Sequence, residues 1–348
     1  MKFNRCTVLT CASLTAIALA AAGCSSSDGA ASGGSASGDS GSALAGSANG
    51  ALVQVIDAVP TPAVLGLDEG YKQQAAEFGI DMQVAQSSGD PTKDLANVQD
   101  AIAKGAKGLL LIPLSVDAIK PALKQAVDAG ICVGVAYSNI TEDNEITPGI
   151  KTYFGYDDTE GGKNLVAAMG EKMGGEGGIV FIGGTAADPG TQAREAGIKA
   201  ELAASYPDIT FLDSQPADYD PAKARSVMQD YVQKYGDKIT GVITAADSMS
   251  QPVADYLATT DLAGKVLVGS FGGQQSFVDE IKAGKGFATV PLPVVDDGAR
   301  AMQRIAECIE GDTDTVFDSS TTQTAMEPLA DANYVVTADN VDSYQPQY

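Results

Sequence analysis

The sequence predicts an α/β protein made of two doubly wound parallel sheets, and three observations carry that expectation. Short apolar runs alternate with helix-like segments from residue 51 to about residue 310, their connections are short, and the pattern restarts near residue 158. With 348 residues, 44% of them apolar, the chain has the length for about two domains and the side chains to fill a core in each.

The elements follow in order. Ala51–Val59 reads as a strand and Ala63–Phe78 as a helix stopped by Gly79. Ile80–Ala85 is strand-like, and Asp90-Pro91-Thr92 opens a helix to about Lys104, with proline at an early position that needs no N–H. Leu109–Ile112 is a continuous apolar run, as expected for a parallel strand covered on both faces. Asp117–Ala129 is a helix ended by Gly130, and Ile131–Ala136 is the next strand. After the restart, Thr159–Met173 carries Leu165, Met169 and Met173 at helical spacing. Gly174–Gly178 is a helix-ending turn, since it precedes the strand Ile179–Ile182. Strand–helix pairs follow at 209–234, 239–259 and 266–284, then a strand at Ala288–Val290 and a helix at about Asp296–Glu310.

Composition excludes several functions. Acidic residues outnumber basic ones 45 to 22, a formal charge of −23 that repels nucleic-acid backbones and anionic lipid. The chain has no histidine, which removes Ser-His-Asp and Cys-His nucleophiles and most transition-metal sites. The cysteines at 6, 11, 24, 132 and 308 lack the spacing of a zinc or redox motif. No phosphate-cradling glycine loop opens a helix, so no cofactor and no metal site are expected.

The first 24 residues read as an address. Lys2 and Arg5 precede a run of small apolar residues from Val8 to Ala22, with the proportions of a signal sequence. The run ends Ala21-Ala22-Gly23-Cys24, which resembles a bacterial lipobox; an ordinary secretory signal is the alternative. The expectation is a signal peptide over 1–23, lipidation of Cys24, and a Ser/Gly/Ala tether over 24–50 that cannot bury a core. Outside the cytoplasm, Cys132 and Cys308 either form a disulfide or remain two buried thiols.

In open α/β sheets, ligands bind beyond the carboxyl ends of the strands. The segments there are Thr61-Pro62, Pro113-Leu114, Tyr137-Ser138, Gly184–Arg194, Ala246–Met249 and Phe271–Gln274. Around them, Asp94-Leu95-Ala96-Asn97-Val98-Gln99-Asp100, Ala193-Arg194-Glu195-Ala196-Gly197 and Ser214-Gln215-Pro216-Ala217-Asp218-Tyr219-Asp220 resemble the type I periplasmic binding proteins of the ribose-binding class, as does the ending Asn333–Asp342. The resemblance covers nearly all of 51–348. It implies an N-terminal lobe of 51–152 plus 291–324 and a C-terminal lobe of 157–288 plus 328–348. A three-segment hinge would join them near Thr152–Asp157, Thr289–Pro293 and Gln323–Pro328. It also implies a monomer that is not an enzyme. Such a protein would capture a small molecule by hinge closure and deliver it to the permease of an ABC importer at the cell envelope, with its only membrane contact through the lipid on Cys24.

The family pattern carries over at Arg194, as a charged donor, and at Tyr219, as an aromatic wall. It departs at Ile112, Tyr137, Ala246, Phe271 and Leu292, where the family's usual polar groups are replaced, and Thr61-Pro62-Ala63-Val64 stands for its usual Asn-Pro-Phe-Phe. With Ser138, these are the candidate ligand-binding residues. Each has a plainer reading. Arg194 could pair with Glu195 or Asp188, Tyr219 could pack between lobes, and Tyr137, Phe271 and Met249 could be core. Asp247 is expected to cap the helix starting at Ser248, and the adjacent Asp157 and Asp158 to cap theirs.

Three functions compete: a solute-binding protein for an importer, a receptor presenting its ligand to a membrane sensor, and an enzyme on the same fold. The family prior favours a sugar or polyol. Apolar side chains at so many aligned positions, and a buried guanidinium needing an acceptor, favour a less hydroxylated organic acid.

Overall fold

A computed structural model describes residues 48–113, 116–136, 149–155, 157–312, 316–319 and 335–348. The expected signal peptide, Cys24, most of the tether, Tyr137, Ser138 and the crossing at 323–328 lie outside the described residues. In chain order, the first half runs β1 (Leu52–Asp57), α1 (Pro62–Phe78), β2 (Asp81–Gln86), α2 (Pro91–Ala103), β3 (Gly108–Ile112), α3 (Val116–Asp128), β4 (Cys132–Ala136) and β5 (Ile150–Gly155). The middle runs α4 (Asp158–Met173), β6 (Gly177–Gly183), α5 (Pro189–Ser205), β7 (Ile209–Pro216), α6 (Pro221–Tyr235) and β8 (Gly241–Thr244). Then come α7 (Asp247–Leu257), β9 (Leu267–Gly272), α8 (Gln275–Lys282), β10 (Ala288–Pro291), α9 (Val294–Ile309), β11 (Val316–Ser319) and β12 (Val336–Thr337).

Four helix starts follow one rule. Thr61, Asp90, Asp188 and Asp220 each precede a proline and accept a backbone N–H of the first turn through the side chain. The side chain satisfies an orphan donor and the proline fixes φ where no N–H is needed. Helices α1 and α4 stop at Gly79 and Gly174, both left-handed.

The strands form two sheets of six, ordered β11-β5-β4-β3-β1-β2 and β12-β10-β9-β8-β6-β7. Every described pair is parallel except β10 with β12. In the first lobe the apolar run of β3 divides between two cores. Leu110 and Ile112 join the side packed by α1 and α9, and Leu109 and Leu111 join the opposite side. The second lobe has one large core around β6, β8 and β9. Ala48, expected in the tether, is fully buried in the first lobe's core, so the folded part includes it.

Close helix crossings recur in both lobes. A Cβ on Gly70 would lie 2.0 Å from the Val295 carbonyl oxygen, and one on Gly298 2.1 Å from that of Leu67, where α1 crosses α9. Gly162 and Gly197 do the same for α4 and α5, at 2.4 Å and 2.0 Å from the carbonyl oxygens of Arg194 and Thr159. The second crossing brings Asp158 beneath Arg194.

The chain leaves the first sheet after Gly155 and enters the second lobe at α4; it returns between β10 and α9. Leu292 lies in this return: its N–H donates to the Gly272 carbonyl (2.9 Å) and its side chain is buried in the first lobe's core. Cys132 on β4 and Cys308 on α9 form a disulfide, which decides between the two readings of that pair. The short strands β11 and β12 were not expected from the sequence; each adds an edge to one sheet.

Candidate ligand-binding cleft

In both sheets the strand order reverses beside the first strand, between β1 and β3 and between β6 and β8. Such switch points open a crevice at the carboxyl ends of the strands. A cleft with about 660 Å³ of empty space, partly open to solvent, lies there between the lobes.

The first lobe supplies Ala58, Val59, Thr61, Pro62, Ala63, Val64 and Ile112. This wall is apolar apart from Thr61, whose Oγ1 accepts from the Val64 N–H (3.3 Å) as the cap of α1. The second lobe supplies Asp188, Gly190, Arg194, Tyr219, Ala246, Asp247, Ser248, Phe271 and Gln274, and Tyr348 closes the lining.

Arg194 is held from within the protein. Its Nε donates to Asp158 Oδ1 at 2.8 Å, its Nη1 donates to the Ala245 carbonyl at 2.5 Å, and the guanidinium lies 4.6 Å from the centre of the Phe271 ring. Arg194 and Asp158 are 3% and 5% exposed, so each is the other's compensation for leaving water. Burial pushes the Asp158 carboxyl up to about 6, and the Arg194 charge opposes that shift. Instead of a surface pairing with Glu195, which holds Lys199 at 2.5 Å, the guanidinium is bound inside the lobe by Asp158. Asp158 is not the cap of α4; that is Asp157, which accepts from the Glu160 N–H at 2.8 Å. The acceptor that Arg194 was expected to seek in a ligand is Asp158.

Asp188 caps α5 through the N–H groups of Gly190 (3.0 Å) and Thr191 (3.2 Å) and also accepts from the hydroxyls of Thr191 and Tyr219. Three of these donors converge on Oδ2 and one reaches Oδ1, so the carboxylate is held from within the lobe. Tyr219 therefore shows its ring to the cleft while its hydroxyl is engaged. It stands on a left-handed backbone (φ +57°) after Asp218 (φ +54°), uncommon for residues other than glycine.

Asp247 differs from its expected role as a helix cap. The residue before α7 is Ala246, which makes no side-chain cap bond, and Asp247 is the first helical residue. Its Oδ2 accepts from the Gln274 N–H (2.7 Å) and its Oδ1 from the Thr289 hydroxyl (2.9 Å). Burial pushes its carboxyl up to about 6, against these hydrogen bonds.

Six sequence-derived candidates therefore line one cleft: Thr61, Ile112, Arg194, Tyr219, Ala246 and Phe271. Leu292 does not line it; a residue that crosses between lobes turned its side chain into the first core. Met249 is core. Asp247 and Gln274 already stood in post-strand segments, but Tyr348 had no local signal, because it reaches the cleft by tertiary packing alone.

Two doubly wound lobes with a cleft across their carboxyl edges define a two-lobed binding protein. The comparisons with known proteins narrow that class. A periplasmic binding protein domain model matches residues 62–313, and the chain belongs to that family. It is 29% identical over 266 residues to the ribose import binding protein of Salmonella typhimurium, covering 76% of this chain and 86% of that one. It is 27% identical over 259 residues to the D-allose-binding periplasmic protein of Escherichia coli, covering 73% and 82%. Among solved structures, a solute-binding protein of Burkholderia graminis in complex with D-arabinose has a TM-score of 0.75 at 24% identity, with 86% and 99% of the chains covered. One from Bacillus halodurans with bound myo-inositol has a TM-score of 0.77 at 17% identity, with 87% and 100% covered. The fold is that of the type I periplasmic binding proteins, and the chain is a binding protein, not an enzyme.

Proposed function

We propose that this chain captures a neutral, hydroxylated small molecule of the sugar or polyol class between its lobes and delivers it to an ABC importer. The observation that carries the reading is the internal pairing of Arg194 with Asp158. Arg194, the one cation among the described residues of the cleft, is already matched, and Asp188 and Asp247 stand nearby, so a carboxylate ligand would meet more negative than positive charge. The relatives named for ribose and D-allose support the same class.

The cleft binds through Arg194, Tyr219, Phe271, Ile112, Thr61 and Ala246, with Asp247, Ser248 and Gln274 as further polar contacts. Its apolar first wall favours a ligand with one weakly hydroxylated face, which keeps the organic acid as the second reading. Calorimetric titration with D-ribose, D-allose, D-arabinose, xylitol and myo-inositol, beside aliphatic and aromatic acids, separates the two. Binding of any sugar or polyol at micromolar concentration supports the first; response to acids alone sinks it.

The protein works as a monomer outside the cytoplasm, held at the membrane by lipid on Cys24. Cys24→Ser should release it to the medium or leave it unprocessed, and unchanged membrane fractionation would rule the anchor out. A permease that binds the loaded protein would favour transport over presentation to a sensor.

A further inference from the structure

Helices α8 and α9 belong to different lobes, and neither receives a cap from the side chain that precedes it, Gln274 or Pro293. Both are capped instead by two consecutive residues, Gln347 and Tyr348. The Tyr348 main-chain oxygen accepts from the Gln275 N–H of α8 at 2.9 Å. Gln347 Oε1 accepts from the Val295 N–H of α9 at 3.0 Å, and its Nε2 donates to Asp296 Oδ2 at 2.7 Å.

The anchoring is equally divided. On the second lobe, the Tyr348 hydroxyl donates to the Gly272 carbonyl (3.0 Å), and the buried Tyr344 donates to that of Gly273 (2.8 Å). On the first lobe, Tyr348 packs on the core beside Val294, and a Cβ on Gly66 would come within 3.4 Å of its own Cβ. Tyr348 also lines the cleft.

We propose that residues 344–348 form a noncovalent clasp between the lobes, and that Gln347 and Tyr348 are positioning residues that limit how far the cleft opens. A helix N-terminus leaves N–H groups that need acceptors. Here one dipeptide supplies them to both lobes, so separating the lobes must uncap α8 or α9. An intact clasp shifts the population toward the closed arrangement.

Solution scattering of the full chain, with no ligand present, tests this independently of the proposed sugar function. Gln347→Ala removes the link to Val295 and Asp296 while leaving Tyr348 on the second lobe. The radius of gyration should rise, and Tyr348→Phe, which removes the hydroxyl bond to Gly272 but keeps the ring, should give a smaller rise. Any panel sugar that binds should bind Gln347→Ala roughly five- to ten-fold more weakly, the equivalent of one lost hydrogen bond. A lower melting temperature alone does not distinguish a clasp from a surface plug; the scattering does. Curves superposable on the wild type for folded Gln347→Ala would overturn the proposal. Should that variant fail to fold, Gln347→Glu keeps the acceptor for Val295 but repels Asp296, and the same comparison decides.

Discussion

The two lobes share a strand order and a reciprocal glycine crossing, yet they place their polar groups in opposite positions. The second lobe brings Arg194, Asp188 and Asp247 to the cleft, backed by a buried hydroxyl cluster in which Thr244 Oγ1 lies 2.6 Å from Ser250 Oγ and 3.0 Å from Ser270 Oγ. The first lobe presents an apolar wall and keeps its acids behind it: Asp57, Asp68 and Asp297 are at most 3% exposed, near the fully buried Tyr71. Topology thus fixes where a cleft opens, while the residues just after each strand decide which lobe recognises and which covers. The lobes also differ in what secures them, an ion pair in the second and a disulfide in the first.

Breaking the ion pair should have the largest effect. Arg194→Ala leaves Asp158 buried without its partner, which costs about 3–5 kcal/mol. The double variant Arg194→Met with Asp158→Leu removes both charges and should recover most of that loss. Urea unfolding checks both. If Arg194→Ala alone proves neutral, the guanidinium does not hold the second lobe together, and its role in ligand contact becomes the stronger reading.

The first lobe's counterpart is the disulfide, which joins residues 176 apart and so encloses nearly all of the second lobe in its loop. By chain entropy alone, closing so long a loop would contribute about 5 kcal/mol, and disulfides typically deliver about 2–4 kcal/mol of such a figure. Reduction, or Cys308→Ser, should lower the first lobe's stability by that order and split a single unfolding transition into two, the first lobe melting earlier. Coincident transitions in oxidised and reduced protein would show that packing of α1 on α9 suffices.

The features legible in the sequence were those whose physics is local. Proline behind Asp90 marked one helix start, and the continuous run at β3 announced a strand covered on both sides; the same signal at Thr61, Asp188 and Asp220 was equally local but went unread. The cleft was legible as a set of post-strand segments, because the α/β architecture puts them there. Partnerships were not. Asp158 and Arg194 are 36 residues apart, and only the crossing of α4 over α5 joins them. Leu292 was placed by its position in the hinge, but its side chain followed the core of the lobe it was entering. β11 and β12 are four and two residues long, too short for a periodicity to declare itself.

The smallest effect concerns the acids behind the first lobe's wall. Burial, with Asp68 close by, pushes the Asp57 carboxyl from its ordinary value up to about 8, and burial raises Asp68 as well. Between about pH 4 and pH 8 the folded protein therefore holds a proton on Asp57 that the unfolded chain has released. Protons bound in the native state favour folding at low pH, so this site's contribution falls as pH rises through that window and levels off above it. Asp57→Asn supplies a neutral amide of the same shape, which accepts from Gln86 as Asp57 Oδ2 does at 3.0 Å and offers a donor towards Asp68. The variant should gain about 1–3 kcal/mol near pH 8 and lose most of that advantage near pH 4, because a buried carboxylate no longer has to be accommodated. Thermal unfolding from pH 4 to pH 9 measures both. A variant that melts below the wild type at every pH would mean that Asp57 is ionised and partnered in the native protein, and that the first lobe carries a charge behind its apolar wall after all.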